Sequence, residues 1–216
     1  MNSSVIQILV LAGIAVFLIL KLRAVLGTRE GFEPSAAPAE GVKPRAKFDV
    51  VEGGADRDIS DNTTDPASTA ALAAMKTADP SFNVTDFLKG ARSAYEMILM
   101  AFDKGDIDRI RPFLGPDIGE TFAEAIAGRA KQGLTITSTF GGIRELALTE
   151  ATFNPTTRLA QIDVRFGAEL SRVIKDANGA VIEGSPTAII RQRDTWTFAR
   201  TMGAPDPNWL LAATGD

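Results

Sequence analysis

The spacing of apolar residues divides the chain into an unbroken run, a stretch without period, a helical period and an alternating period. The run comes first. From Ile8 to Leu20 every residue is apolar or glycine, and Val5 and Ile6 extend it across the lone Gln7. A helix over residues 2–21 rises about 1.5 Å per residue and reaches roughly 30 Å, one hydrocarbon core. The pattern therefore predicts a transmembrane helix over 4–22. Its anchor is Val5, Ile6, Ile8, Leu9, Val10, Leu11, Ile14, Val16, Phe17, Leu18, Ile19 and Leu20. A cleaved signal peptide wants basic residues ahead of its apolar core and a small-residue site soon after it. Nothing before Lys21 is basic except the amino terminus, and Ala37-Pro38-Ala39 lies far downstream. An uncleaved single span is expected. Lys21, Arg23 and Arg29 flank its C-terminal end, which by the charge bias of cytoplasmic flanks places the N-terminus outside and the rest in the cytoplasm.

Residues 23–66 have no lasting period and are rich in Gly, Pro, Ala, Asp and Glu. So little apolar area fails to offset ordering entropy, and a flexible linker is expected. Asp56, Asp58, Asp61 and Asp65 hint at a calcium loop. Counted from Asp56, however, an EF-hand needs Gly at position six and Glu at twelve, where Asp61 and Ala67 stand. Asn62-Thr63-Thr64 and Asn83-Val84-Thr85 match glycosylation sequons, unused in a cytoplasmic domain.

A folded domain is expected over 67–214. Residues 67–78 form an alanine-rich helix, short and weakly anchored, with Leu72 and Met75 as its sizeable apolar groups. Phe87, Leu88, Ala91, Tyr95, Ile98, Leu99 and Phe102 mark one face of a helix over 84–103. Asn83 or Thr85 can cap it and Gly105 can end it. Pro116 suits the first position of a helix over 116–131, which Gly133 stops. The period then becomes two. Ile162, Val164, Phe166, Ala168 and Leu170 alternate with polar residues or glycine. Asn178-Gly179 signals a hairpin turn, residues 186–200 form a strand, and a short last strand follows Pro207. With residues 135–153 this gives an α+β domain, helices packed on an antiparallel sheet of about four strands.

Composition narrows the chemistry. The 216 residues include no cysteine and no histidine, which removes thiolate chemistry, the usual neutral-pH base and the commonest transition-metal ligand. A net charge of −4 disfavours a nucleic-acid coat. The polar groups an isomerase-like site would need are Tyr95 with Asp163 or Asp194. By alternation Asp163 lies opposite the apolar face, whereas Asp194 shares parity with Trp196 and Phe198. No phosphate loop, dinucleotide fingerprint or metal constellation is present. A non-enzyme is expected, with no catalytic residue, cofactor or metal.

The Gly105-Asp106 turn, Arg111-Pro112-Phe113-Leu114, and Phe122, Ile126, Arg129 and Gly133 form one ordered set. Asp194, Trp196, Phe198, Arg200 and Asp206-Pro207-Asn208-Trp209 follow. In this order they resemble the Tim-forty-four-like domain of the mitochondrial import-translocase adaptor and its alphaproteobacterial TimA-type relatives, over about residues 70–214. The resemblance implies a fold like that of nuclear transport factor two, a curved sheet wrapped by helices around a cone-shaped cavity. Tyr95, Phe122, Ile126, Phe140, Phe166, Trp196 and Phe198 are the candidate lining, or else simply core. It also implies attachment to anionic membrane. Lys89, Arg92, Lys104, Arg109, Arg111, Arg129 and Lys131 would contribute about 1 kcal/mol each near a charged surface, unless they are only solvated.

The expected function is an adaptor in the bacterial inner membrane. It would hold lipid through the N-terminal helix and protein partners of a translocation or membrane-protein assembly machinery through the domain, without nucleic acid. The alternatives are a lipid- or hydrophobe-binding module and a periplasmic secretion-apparatus subunit of the same fold.

Overall fold

Side chains and glycines at turning points set several helix boundaries within residues 56–215, the part described by this computed structural model. The expected span 4–22, its flanking charges and the linker up to residue 55 lie outside these residues. Among the described residues no helix is long and apolar enough to cross a membrane.

A four-residue helix, α1 (Arg57–Ser60), opens the fold. The linker assignment of residues 56–66 is thereby corrected. Ile59 is buried, and Asp56 and Asp58 both reach Lys76 Nζ at 2.7 Å. Asp58 also accepts from Val84 N at 2.7 Å and from Thr85 N and Oγ1 at 2.9 and 2.7 Å. One apolar residue and one well-placed carboxylate order a segment whose composition is otherwise that of a linker.

Asp65 caps α2 (Pro66–Ala78) by accepting from Ser68 N, and Pro66 occupies the first turn. Contrary to expectation α2 is firmly anchored. Leu72 and Met75 are fully buried, and Ser68 Oγ accepts from the buried Ala151 N at 3.1 Å. Asn83, rather than Thr85, caps α3 (Val84–Lys104) by accepting from Asp86 N. Gly105 ends α3 in the left-handed region at φ 83°, where Asp106 N donates to Ala101 O at 2.9 Å. After α4 (Ile107–Ile110) and a 3₁₀ turn (Arg111–Phe113) comes α5 (Pro116–Lys131).

Four strands then run as an antiparallel meander in the order β1-β2-β3-β4: β1 (Thr135–Phe153), β2 (Leu159–Lys175), β3 (Val181–Thr201) and β4 (Leu210–Gly215). Three register shifts in β1, near Gly142, Glu145 and Glu150, bend it. The alternation read in β2 holds, with Ala160, Ile162, Val164, Phe166, Ala168 and Leu170 all buried. α2 and α3 pack across β1, so the core lies between these helices and one sheet face.

Candidate functional site

The core face of the sheet meets α3 in an aromatic stack. Tyr95 lies parallel to Phe166 at 4.3 Å between ring centroids and 4.6 Å from Trp196, and Phe166 meets Trp196 edge-on at 5.7 Å. These rings have under 5% exposure and pack as core, the second of the two readings open to them from sequence. The remaining candidates also serve packing. Phe140 approaches Tyr95 at 6.4 Å, Phe122 packs on Phe102 at 4.6 Å, and Ile126 sits beneath Gly105. Of the seven proposed lining residues Ile126 borders a small depression near Gly105 and Phe198 faces an opening beside α3. Large aromatics at helical and alternating spacing satisfy each other before they leave a void.

The opening is a groove of about 500 Å³ on the other flank of α3. One turn of the helix after another supplies Phe87, Ala91, Ala94 and Met97, spaced along a single face. The turn before α3 contributes Phe82, the 3₁₀ turn Phe113, and the segment before β4 Trp209. Trp209 is held at 4.7 Å from Phe87 and 5.8 Å from Phe82, while Phe87 meets Phe198 edge-on at 5.8 Å. Gly90 lies in this wall, and a methyl group there would meet nothing within 4 Å. Ser81, Asn83, Asp86, Ser93 and Asn208 form a polar rim.

At one end of the groove Arg200 Nη2 donates to Asp79 Oδ2 at 2.7 Å, with both side chains 9% exposed. Asp79 also accepts from Ser81 N and Oγ and from Gly203 N. The Ser81 hydroxyl, assisted by the backbone donors and Arg200, outweighs burial and holds this carboxyl below its usual range. Arg200 Nε is buried with no partner among the described residues. The ion pair therefore presents little net charge to the groove. Asp86 at the rim is matched by Lys89 at 2.8 Å.

Of the candidate catalytic groups Tyr95 and Asp194 meet, and Asp163 lies apart. Tyr95 Oη donates to Asp194 Oδ2 at 2.5 Å, and Gln192 Nε2 donates to the same carboxylate at 2.9 Å. Burial, then the Asp194 carboxylate, pushes the phenol well above its ordinary pKa, so it stays a neutral donor. The pair ties α3 to β3 and borders no opening described here. Asp163 faces the opposite side of the sheet, in a shallow depression with Glu150, Thr152, Gln161 and Thr197.

Among the described residues no group of acidic side chains could hold a metal. Asp56 and Asp58 are spent on Lys76, and Asp65 on the start of α2. Of the seven basic candidates, Lys89 pairs with Asp86, Arg111 with Asp108 at 3.8 Å, and Arg92 donates to Ile143 O at 3.4 Å. Arg129 stacks over Phe102 at 4.5 Å and donates to its carbonyl. Lys104, Arg109 and Lys131 are exposed.

Of the groove residues Phe87 was read from sequence only as helix face, and Phe82 and Met97 carried no reading. Gly90 was the available signal: a glycine inside a strong helical pattern costs about 1 kcal/mol against alanine and asks for a packing or functional reason.

A family model described as Tim44-like domain matches residues 68–216. The crystal structure of the intermembrane space region of the chloroplast protein ARC6 is similar over 59% of this chain and 93% of that chain, at 14% identity and a TM-score of 0.40. No curated protein matches.

Proposed function

Because the chain belongs to the Tim44-like domain family, we propose that it is a membrane-anchored adaptor whose groove receives the apolar face of a protein partner. The span over 4–22 fixes it in a bacterial inner membrane with the N-terminus outside. The domain, with the cone-like fold of nuclear transport factor two, works on the cytoplasmic side in protein translocation or membrane-protein assembly. It performs no catalysis. The observation that carries the reading is the open groove walled by Phe82, Phe87, Met97 and Trp209, with its ionic groups already neutralised in pairs. Such a surface suits an uncharged apolar ridge, as on one face of an amphipathic helix.

A photoreactive amino acid in place of Met97, in the full chain in living cells, tests the reading. Crosslinks to a membrane or translocating protein are expected. Crosslinks to lipid alone would favour the second reading, a hydrophobe-binding module, which the groove's apolar walls also suit. Native mass spectrometry would then show a co-purified lipid. A C-terminal reporter active only outside the cytoplasm would overturn the orientation and favour a periplasmic secretion subunit.

A further inference from the structure

The groove beside α3 has two chemically different ends. Near the start of α3 the Asp79 carboxylate is saturated, accepting from Ser81 N and Oγ, Gly203 N and Arg200 Nη2. Arg200 is not. Its side chain lines the groove and is 9% exposed, and its Nε is buried without an acceptor among the described residues. A buried donor left unpaired carries the cost of its lost hydration, and an acceptor that reaches it relieves that cost. The first amides of α3 are already taken, Val84 N and Thr85 N by Asp58 and Asp86 N by Asn83. Arg200 is thus the idle donor at this end among the described residues.

Toward the other end the groove runs past Ser93 and Met97 into a depression bordered by Glu96, Lys104, Asp106 and Arg109. Both signs of charge stand there in equal number, so that end sets no preference. Between Phe87 and Met97 the wall follows α3 for about 15 Å, close to three turns of a docked helix.

The charge already present decides what kind of acceptor suits Arg200. A second carboxylate would leave two acids sharing one base largely out of water. A neutral carbonyl avoids this. The last four C=O groups of an α-helix have no partner inside it and form the negative end of its dipole. Its first turn instead offers N–H donors and the positive end, which Arg200 disfavours. Resting on the reading that the groove takes the apolar ridge of a partner helix, we infer that this helix lies antiparallel to α3, with its last-turn carbonyls accepting from Arg200. Arg200 positions the partner and fixes its direction, while Phe82, Phe87, Met97 and Trp209 hold its apolar side chains.

The test uses the full chain in phosphatidylcholine nanodiscs. The probe is an acetylated, amidated peptide of about four helical turns, with leucines along one face, equal numbers of Glu and Lys on the other, and one cysteine at its first or last position. The chain has no cysteine, so Ser93→Cys and Asn208→Cys each place a single thiol on the rim. Asn208 adjoins Trp209, which packs on Phe82, and Ser93 lies toward Met97. In a glutathione redox buffer the peptide with its cysteine last should be captured at Asn208→Cys. The peptide with its cysteine first should be captured at Ser93→Cys, and each pairing should exceed its reverse about tenfold. By fluorescence anisotropy a labelled, cysteine-free peptide should bind the double variant Asp79→Leu, Arg200→Met about tenfold more weakly than the parent. The capture experiment keeps Arg200 in place and decides the direction even where the double variant fails to fold. Reversed capture, capture equal at both ends, or unchanged affinity in a folded double variant would each overturn the inference while leaving the groove reading standing. Absent binding, or binding that Gly90→Leu leaves unchanged, would overturn both. A lipid or a second copy of the chain that holds the groove against the peptide would do the same.

Discussion

Asp79 and Arg200 join the end of α2 to the end of β3, and replacing either should destabilise the domain more than replacing both. The two side chains are 9% exposed and 2.7 Å apart, so their charges sit largely out of water. Removing one partner of a buried pair costs roughly 3–5 kcal/mol, because the remaining charge is left uncompensated, whereas a well-packed apolar replacement of both is often neutral. Asp79→Asn and Arg200→Met should each fall in that range. The double variant Asp79→Leu, Arg200→Met should lose less than about 2 kcal/mol. For a domain of this size each kcal/mol moves Tm by about 2–4 °C, so the single variants should melt roughly 6–20 °C lower. Thermal and urea unfolding followed through Trp196 and Trp209 would measure this. The pH dependence has a fixed sign. The folded carboxyl sits below its unfolded value of about 3.9, so its contribution is complete above that pH and fades as pH falls through the folded pKa. In Asp79→Asn that part of the acid sensitivity should vanish. Single variants costing under 1 kcal/mol, or costs that simply add in the double variant, would refute the description of a coupled buried pair.

Other perturbations probe neighbouring features. Asp58→Asn should cost about 2–3 kcal/mol by weakening charge-assisted bonds from Lys76, Val84 and Thr85. Hydrogen exchange in α1 should then rise ahead of global unfolding, and equal protection in variant and parent would contradict the packing of residues 56–60. Asp58 is held well below the usual carboxylate range, since these hydrogen bonds outweigh its burial, so its contribution too should disappear only at acid pH. Tyr95→Phe keeps the stack on Phe166 but removes the donor to Asp194, and denaturant midpoints should report a loss of about 1.5–3 kcal/mol. Gly90→Leu should leave the melting temperature unchanged or raised while abolishing photocrosslinking from Met97, because the added side chain enters the groove rather than the core. Retained crosslinking in that variant would place the partner elsewhere.

The helix starts and stops were local enough to read. Asn83, Gly105 and Pro116 act within one turn of their own positions, through backbone donors and φ values that depend little on the rest of the chain. The face of β2 was equally legible, because alternation is a property of the strand itself. Asp163 and Asp194 fell on opposite faces as their parity required. Residues 56–66 were misread because Asp58 matters only through contacts with Lys76, Val84 and Thr85, 18 to 27 positions away along the chain. The choice between lining and core was not legible for a related reason. Tyr95, Phe166 and Trp196 carry the periodicity of buried residues, and periodicity is the same for a filled core and for a cavity wall.

Sequence by itself determined where α2, α3 and α5 begin, which side of α3 and β2 is apolar, and that neither histidine nor cysteine chemistry is available. Tertiary structure alone decided that Tyr95 and Asp194 spend their polar groups on each other, that the aromatic rings close one space, and that Phe82, Phe87 and Trp209 border another. Local periodicity is fixed by backbone geometry over a few residues. Whether a given apolar side chain fills a gap or borders one depends on the volumes and angles of elements far apart in the chain, which no short window of sequence contains.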